Sequence, residues 1–159
     1  MTQPPRPDDS VIIVSWNVAD LLRDCLNSVY ENSTDLSFEV IVVDSASHDD
    51  TVQMVKTHFP QVMLSAQSEN VGFTRGNNIG LELAQGRYVF LLNPDTVILG
   101  DAIEQMVAYL DAHPQVGIIG PYTLNTDMTH QSTRRRFPTI GTAFFESTWL
   151  QDYAPRHIL

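Results

Sequence analysis

Cysteine and lysine each occur once in the 159 residues, as Cys25 and Lys56, and no apolar run is long. A lone cysteine excludes an internal disulfide and fits a reducing compartment. It lies on an apolar helical face and reads as a small core residue. No stretch approaches the roughly 20 apolar residues that span a bilayer. The N-terminus, MTQPPRPDDS, lacks the apolar centre of a signal peptide, so residues 1–9 are expected to be a disordered lead-in and the expected address is the cytoplasm. Basic residues are scarce as well: nine against nineteen acids, for a formal charge of −10. Such a surface repels phosphate backbones, which argues against a nucleic acid partner. Neither G-x-G-x-x-G nor G-x-x-x-x-G-K-[ST] occurs, so no glycine cradle holds a phosphate. The histidines, His48, His58, His113, His130 and His157, have no metal-ligand spacing and read as surface residues.

What is present is an alternation of β-rich runs and amphipathic helices. VIIVS (11–15), FEVIVVD (38–44), VMLSA (62–66), RYVFLL (87–92) and VGIIG (116–120) read as five strands. Between them, Leu21, Leu22, Cys25, Leu26, Val29 and Tyr30 recur at helical spacing. So do Val52, Val55 and Phe59, and Ile103, Met106, Val107 and Leu110. Ser47 and Asp50 have the form of a capping box for the second helix. The helix holding Ile79 and Leu83 is expected to end with Gly86 as its C-cap. Beyond Pro121, TLNTDMTHQSTRRRF is expected to form a polar hairpin turning at Asn125–Met128, and TIGTAFFESTWLQDY a closing helix. Near-continuous apolar strands alternating with helices predict an α/β fold: a doubly wound, mostly parallel sheet with helices on both faces.

In such a sheet ligands bind outside the carboxyl ends of the strands. Polar residues gather there: Ser15, Trp16 and Asn17 after the first strand, Asp44 and Ser45 after the second, Asn93, Pro94 and Asp95 after the fourth. Each acid alone is as readily a helix cap as a ligand. Together, and without a glycine cradle, they suit a nucleotide whose phosphates are bridged to carboxylate by a divalent cation. Pro94 fixes its own φ and pushes Asn93 toward extended backbone, which presents Asp95 rigidly.

The segments VIIVSWNVADLLRDCLNSV, VIVVDSASHDDT, ENVGFTRGNNIGLELAQGRYVFLLNPDT and VGIIGPYTLNTDMTHQSTRRRFPT, in that order, resemble the N-terminal, nucleotide-sugar-binding part of a family 2 glycosyltransferase of the GT-A fold. They are most similar to a rhamnosyltransferase-like branch. The resemblance implies three regions: the lead-in 1–9, a nucleotide-sugar-binding domain over 10–120, and the start of an acceptor-side region over 121–159. It implies that Asp44 binds base or ribose, that Ser15 and Asn17 line the same pocket, and that Arg75 contacts base or diphosphate. Asn77 and Asn78 are either pocket wall or helix structure. Asp95, with Asn93 beside it, corresponds to the end of the family's D-x-D-like motif, which ligates Mg2+ or Mn2+. Asn93 stands where that motif usually begins with Asp, so one carboxylate carries most of the cation binding. Trp16 either stacks on a base or packs in the core.

The implied activity is metal-dependent binding of a UDP- or dTDP-linked sugar for inverting transfer to a saccharide or lipid-linked acceptor. A lipid-linked acceptor would bring the protein to the inner face of the membrane. Full members of the family run well beyond this length, and their general base lies in the later half, so the chain is expected to be a fragment without its base. Asp127 and Glu146 are acids in the right half but sit in no base-like motif. Arg134, Arg135 and Arg136 could meet a pyrophosphate or headgroup, or form a solvated strand edge. Phe144, Phe145 and Trp149 form an apolar patch that would favour a homodimer. Two alternatives stand beside the enzyme: a nucleotide-binding module without catalysis, and an unrelated α/β signalling domain. The latter would want a lysine at a late strand end, whereas Lys56 falls on the second helix.

Overall fold

β-Branched runs flanked by helices cannot leave either face in water, and here they form the centre of one parallel sheet. A computed structural model describes residues 6–33 and 36–132. The strands are β1 (Asp9–Ser15), β2 (Phe38–Asp44), β3 (Met63–Ala66) and β4 (Tyr88–Leu92). The helices are α1 (Ala19–Asn32), α2 (Thr51–His58), α3 (Gly72–Leu83) and α4 (Ala102–Ala112). The spatial order is β3-β2-β1-β4, with every neighbouring pair parallel. The chain divides into two compact units, Met1–Pro121 and Tyr122–Leu159, and the sheet belongs to the first.

Alternation along the strands sends side chains to opposite faces. Val11, Ile13, Val40 and Val42 point to one face and pack with Leu22, Leu26, Met54 and Ile103 from α1, α2 and α4. Ile12, Ile41 and Val43 point to the other, against Ile79 and Leu83 of α3. Helices on both faces bear out the doubly wound reading. Each fully buried Val, Leu or Ile contributes roughly 1.5–3 kcal/mol of transfer free energy, so the two central strands dominate the core. Gly80 lets α3 lie close to the sheet: a Cβ there would overlap Ile12 Cγ2.

Several local expectations are corrected. Residues 116–120 form no ladder among the described residues, and Ile118 is 92% exposed. A β-rich run becomes a strand only when a neighbour takes up its backbone groups, and composition does not supply the neighbour. Residues 6–9 are not a free lead-in. The Asp8 amide donates to Ser37 O, the Arg87 amide to Pro7 O, and Arg6 to the Gln85 and Gly86 carbonyls. Gly86 is no C-cap, since α3 ends at Leu83 with Ala84 extended. It is glycine because a Cβ would come within 2.5 Å of Ser10 N on β1. The Ser47–Asp50 capping box does not form. Asp49 accepts from the Thr51 amide at 3.1 Å instead, and Ser47 is used elsewhere. Leu21 is half exposed, because the buried stripe of α1 runs through Leu22, Cys25, Leu26 and Val29.

In the second unit, Leu124 and His130 form an antiparallel bridge and the Met128 amide donates to Asn125 O, which is the expected turn. The residues expected to form the closing helix, the arginine cluster, and Glu146, Phe144, Phe145, Trp149 and His157 lie outside the described residues.

Asp9 breaks the apolar pattern at the start of β1. It is 2% exposed, its Oδ1 has no partner, and it lines a cavity of about 320 Å3 with Phe90, Ile103, Met106 and Leu110. Burial pushes its carboxyl up to about 6, helped by the charge of Asp8 and opposed by the Ser10 amide. Folding therefore takes up a proton between the unfolded carboxylate value and about pH 6. The stability tied to the neutral acid is complete below that window and lost as pH rises through it. Asp9→Asn is expected to gain on the wild type as pH rises from 4 to 7, reaching an advantage on the order of 1–3 kcal/mol. Urea midpoints of both proteins across that range measure it, and a difference that stays flat would contradict it.

Candidate functional site

Because all four strands are parallel, their carboxyl ends share one edge of the sheet. Ser15 and Asp44 are register partners at the ends of β1 and β2. β4 lies on the other side of β1 and leads directly into Asn93-Pro94-Asp95. Asp44 and the Asp95 loop thus flank the end of β1, two strand spacings or roughly 10 Å apart. The cavity beside Asp9 lies at the opposite end of β1, and the carboxyl edge is open surface.

Asp44 is held from one side only. Its Oδ2 accepts the Ser47 amide at 3.0 Å, whereas Oδ1 is buried and without a partner. The residue is 1% exposed. An enclosed carboxylate oxygen lacking a donor is costly, and a ligand N–H or O–H would offset that cost. The turns around it are locked together. The Asn17 amide donates to Ser47 Oγ at 2.8 Å, Asn17 Oδ1 accepts the His48 amide at 2.7 Å, and Asp49 Oδ2 accepts the Ala19 amide at 3.1 Å. Asn17 and Ala46 sit at φ of 55° and 60°. Two left-handed non-glycine residues on one edge are the kind of strain that gathers at functional sites.

Ser45, which the sequence reading passed over, fastens α3 to this edge. Its Oγ accepts the Val71 amide at 2.9 Å and donates to Asn70 Oδ1 at 3.0 Å. A hydroxyl from a strand end thereby satisfies helix amides that have no local cap. Asn77, one of two asparagines with open roles, is buried and donates to Phe73 O within α3, so it is helix structure; Asn78 is exposed. Arg75 is exposed and pairs loosely with Glu69 at 3.4 Å, a contact weak enough to be exchanged for a ligand. Trp16 is 53% exposed, against the packing alternative and consistent with stacking. Ser15 is buried with its Oγ unpartnered, which leaves it without the exposure that a ligand contact needs.

Across β1, the loop carrying Asp95 rests on α1. Cys25 Sγ donates to Asn93 O at 3.6 Å, Ser28 Oγ accepts the Ile98 amide at 2.9 Å, and Asn32 Nδ2 donates to Ile98 O at 3.3 Å. Burial, reinforced by the charge of Asp95, pushes the Cys25 thiol up to about 12, so it stays a neutral donor. This bears out the reading of Cys25 as a core residue. Ser28 and Asn32 were not singled out from sequence, although a buried polar residue three positions after Cys25 on an apolar stripe is a signal. Asn93 and Asp95 are exposed, and among the described residues their side chains have no hydrogen-bond or ion-pair partner. No group of three His, Cys, Asp or Glu converges among the described residues. One free carboxylate beside a neutral amide oxygen fits a hard cation that takes most of its ligands from phosphate and water. It does not fit a dedicated protein cage.

The chain matches the model of Glycosyl transferase family 2 over residues 10–158. It is 27% identical over 137 residues to the SPbeta prophage-derived glycosyltransferase SunS of Bacillus subtilis, covering 84% of this chain and 32% of that protein. It is 28% identical over 108 residues to the poly(ribitol-phosphate) beta-N-acetylglucosaminyltransferase TarS of Staphylococcus aureus, covering 65% of this chain and 19% of that one. The chain thus spans a third or less of these curated relatives. Among solved structures, TarS 1-349 in complex with UDP-GlcNAc superposes with a TM-score of 0.61 at 29% identity, over 67% of this chain and 32% of that one. A mannosyltransferase from Pyrobaculum calidifontis in complex with GDP-Man and Mn2+ gives 0.63 at 32%, over 71% and 34%. These likenesses carry the GT-A arrangement expected for the sheet and its helices. The chain belongs to glycosyl transferase family 2.

Proposed function

We propose that this chain is the donor-binding part of a glycosyltransferase that takes a nucleoside-diphosphate sugar together with a divalent cation. The observation that carries the reading is the pair of rim carboxylates. Asp44 is buried with one oxygen awaiting a donor, and Asp95 is exposed and unengaged on the far side of β1. Asp44 suits the N–H of a base or the hydroxyl of a ribose. Trp16, beside it, offers a ring for the base to stack on. Asn93 and Asp95 would hold Mg2+ or Mn2+, which when bound supplies charge neutralisation to the leaving diphosphate. Arg75 is free to swing onto the same phosphates. The bound nucleotides named in the two solved relatives support a nucleotide-sugar donor. Their sugars, N-acetylglucosamine and mannose, differ from the rhamnose suggested by sequence segments alone, so the sugar identity rests on the resemblance.

Transfer itself needs a base to deprotonate an acceptor hydroxyl, here a saccharide or lipid-linked hydroxyl. Asp127 is not that base: its carboxylate is held down by the Thr129 hydroxyl and amide within the hairpin turn. This observation favours a second reading in which the 159 residues bind donor without transferring it. A signalling domain is disfavoured, since Lys56 lies on α2 and not at a strand end. No helix of the described residues is long and apolar enough to cross a membrane.

Calorimetry with UDP, dTDP and GDP, with and without Mn2+, tests the donor reading. Asp44→Ala is expected to weaken uridine and UDP by a similar factor, about tenfold or more, as loss of a charged hydrogen bond worth roughly 1.5–3 kcal/mol implies. It is expected to leave the Mn2+ dependence in place. An Asp44→Ala protein that binds nucleoside as tightly as the wild type would overturn its assignment to base or ribose.

A further inference from the structure

α1 bears a polar stripe whose members all reach the same loop. Cys25, Ser28 and Asn32 are spaced by three and four residues, which puts them on one face of the helix. Cys25 holds the Asn93 carbonyl, Ser28 holds the Ile98 amide, and Asn32 holds the Ile98 carbonyl. Ile98 itself is buried in the core with Ile103. Both ends of the Asn93–Ile98 segment are therefore fastened to one helix. Asp95, between them, is fastened to nothing among the described residues. The same helix is tied at its first turn to the loop after β2, where the Ala19 amide donates to Asp49 Oδ2 at 3.1 Å. A single rigid element thus connects the Asp44 side of the edge with the Asp95 side.

We propose that Ser28 and Asn32, with Cys25, are positioning residues that fix Asp95 at the height over the rim where it meets the diphosphate and its cation. The inference rests on the donor-site reading and extends it to residues that touch no ligand. The stripe touches the segment on either side of Asp95 and no part of Asp44. Loosening it should weaken what Asp95 holds and spare what Asp44 holds. A stripe that merely filled the core would show no such selectivity. Sites of this kind tolerate displacements of only about 0.5 Å, which a lost buried hydrogen bond readily allows.

The test is calorimetry on the 159-residue chain, with UDP plus Mn2+ and with uridine, for wild type, Ser28→Ala, Asn32→Ala and the conservative Ser28→Thr. Should dTDP or GDP bind the wild type better, that diphosphate and its nucleoside take the place of UDP and uridine. Ser28→Ala and Asn32→Ala are expected to weaken diphosphate binding about tenfold and raise the Mn2+ concentration needed for half-maximal binding. Uridine affinity should stay within about twofold, and Ser28→Thr, which keeps the hydroxyl, should recover most of the loss. If Ser28→Ala does not fold, Asn32→Ala, at a half-buried position, carries the comparison. Equal weakening of both ligands, or no weakening in a folded variant, overturns the positioning role. A wild type whose diphosphate binding ignores Mn2+ would instead overturn the donor-site reading beneath it, and that failure is recognised before any variant is made.

Discussion

Asp95→Ala is expected to abolish the Mn2+-dependent part of diphosphate binding, a loss of a hundredfold or more, while uridine still binds. The size follows from how few charges the edge offers. Asn93 contributes a neutral oxygen, so Asp95 is the single carboxylate of the Asn-Pro-Asp turn, and no second acid converges there among the described residues. A hundredfold loss corresponds to about 2.7 kcal/mol, well within what one charge pair at 4 Å supplies at an intermediate effective dielectric. The fold should not notice the change. Asp95 is exposed and makes no protein contact of its own, and surface substitutions of that kind stay within about 0.5 kcal/mol. A melting temperature near wild type combined with lost metal-dependent binding is thus the expected signature. Asn93→Asp tests the same idea from the other side, because a second carboxylate should tighten Mn2+. If Asp95→Ala keeps its Mn2+ dependence, the cation sits elsewhere and the proposed role of the turn fails.

Gly80→Leu is expected to leave the chain unfolded or aggregated. α3 lies on the sheet with Gly76 and Gly80 against Val14 and Ile12, and even a methyl group at Gly80 would overlap Ile12 Cγ2. Ile12 is fully buried in the second strand of contacts of the sheet's centre and has nowhere to retreat. Overpacking by a single side chain typically costs about 1–3 kcal/mol, and occasionally more. A whole isobutyl group in van der Waals contact belongs at or beyond the upper end of that range. The better helix propensity of leucine returns only about 1 kcal/mol. Against a total stability of about 5–15 kcal/mol, the balance is a large loss. Gly80→Ala should show the smaller version, a net cost of about 1–2 kcal/mol in urea midpoint. Asn78→Ala on the exposed side of the same helix should cost little. A Gly80→Leu protein with a wild-type midpoint would mean that α3 stands further from the sheet.

How far the site could be read in advance differs from residue to residue. Asp44 and Asp95 were legible because each follows an apolar strand, and parallel strands must end on one edge. Asn17 was found for the wrong physics: it was expected to line a pocket, and its carbonyl oxygen instead holds the His48 amide across two turns. Ser45, Ser28 and Asn32 were not found, because a side chain that caps another element's backbone leaves no periodic trace in its own. The missed capping residue, Asp49 in place of Ser47, has the same origin. Both residues fit a cap by type, and only the meeting of the β1 and β2 turns decides which one is free to do it.

The sequence by itself determined the alternation of strands and helices, the two-faced burial of the central strands and the loading of acids at their carboxyl ends. Those follow from side-chain periodicity and from the reach of neighbouring residues, which are local. Only the tertiary structure decided that β1 lies between Asp44 and Asp95, that 116–120 finds no strand to pair with among the described residues, and that α1 grips the loop beside the metal-binding turn. Each of these depends on which elements come to lie side by side, and that is settled by packing across the whole sheet, which no single segment contains.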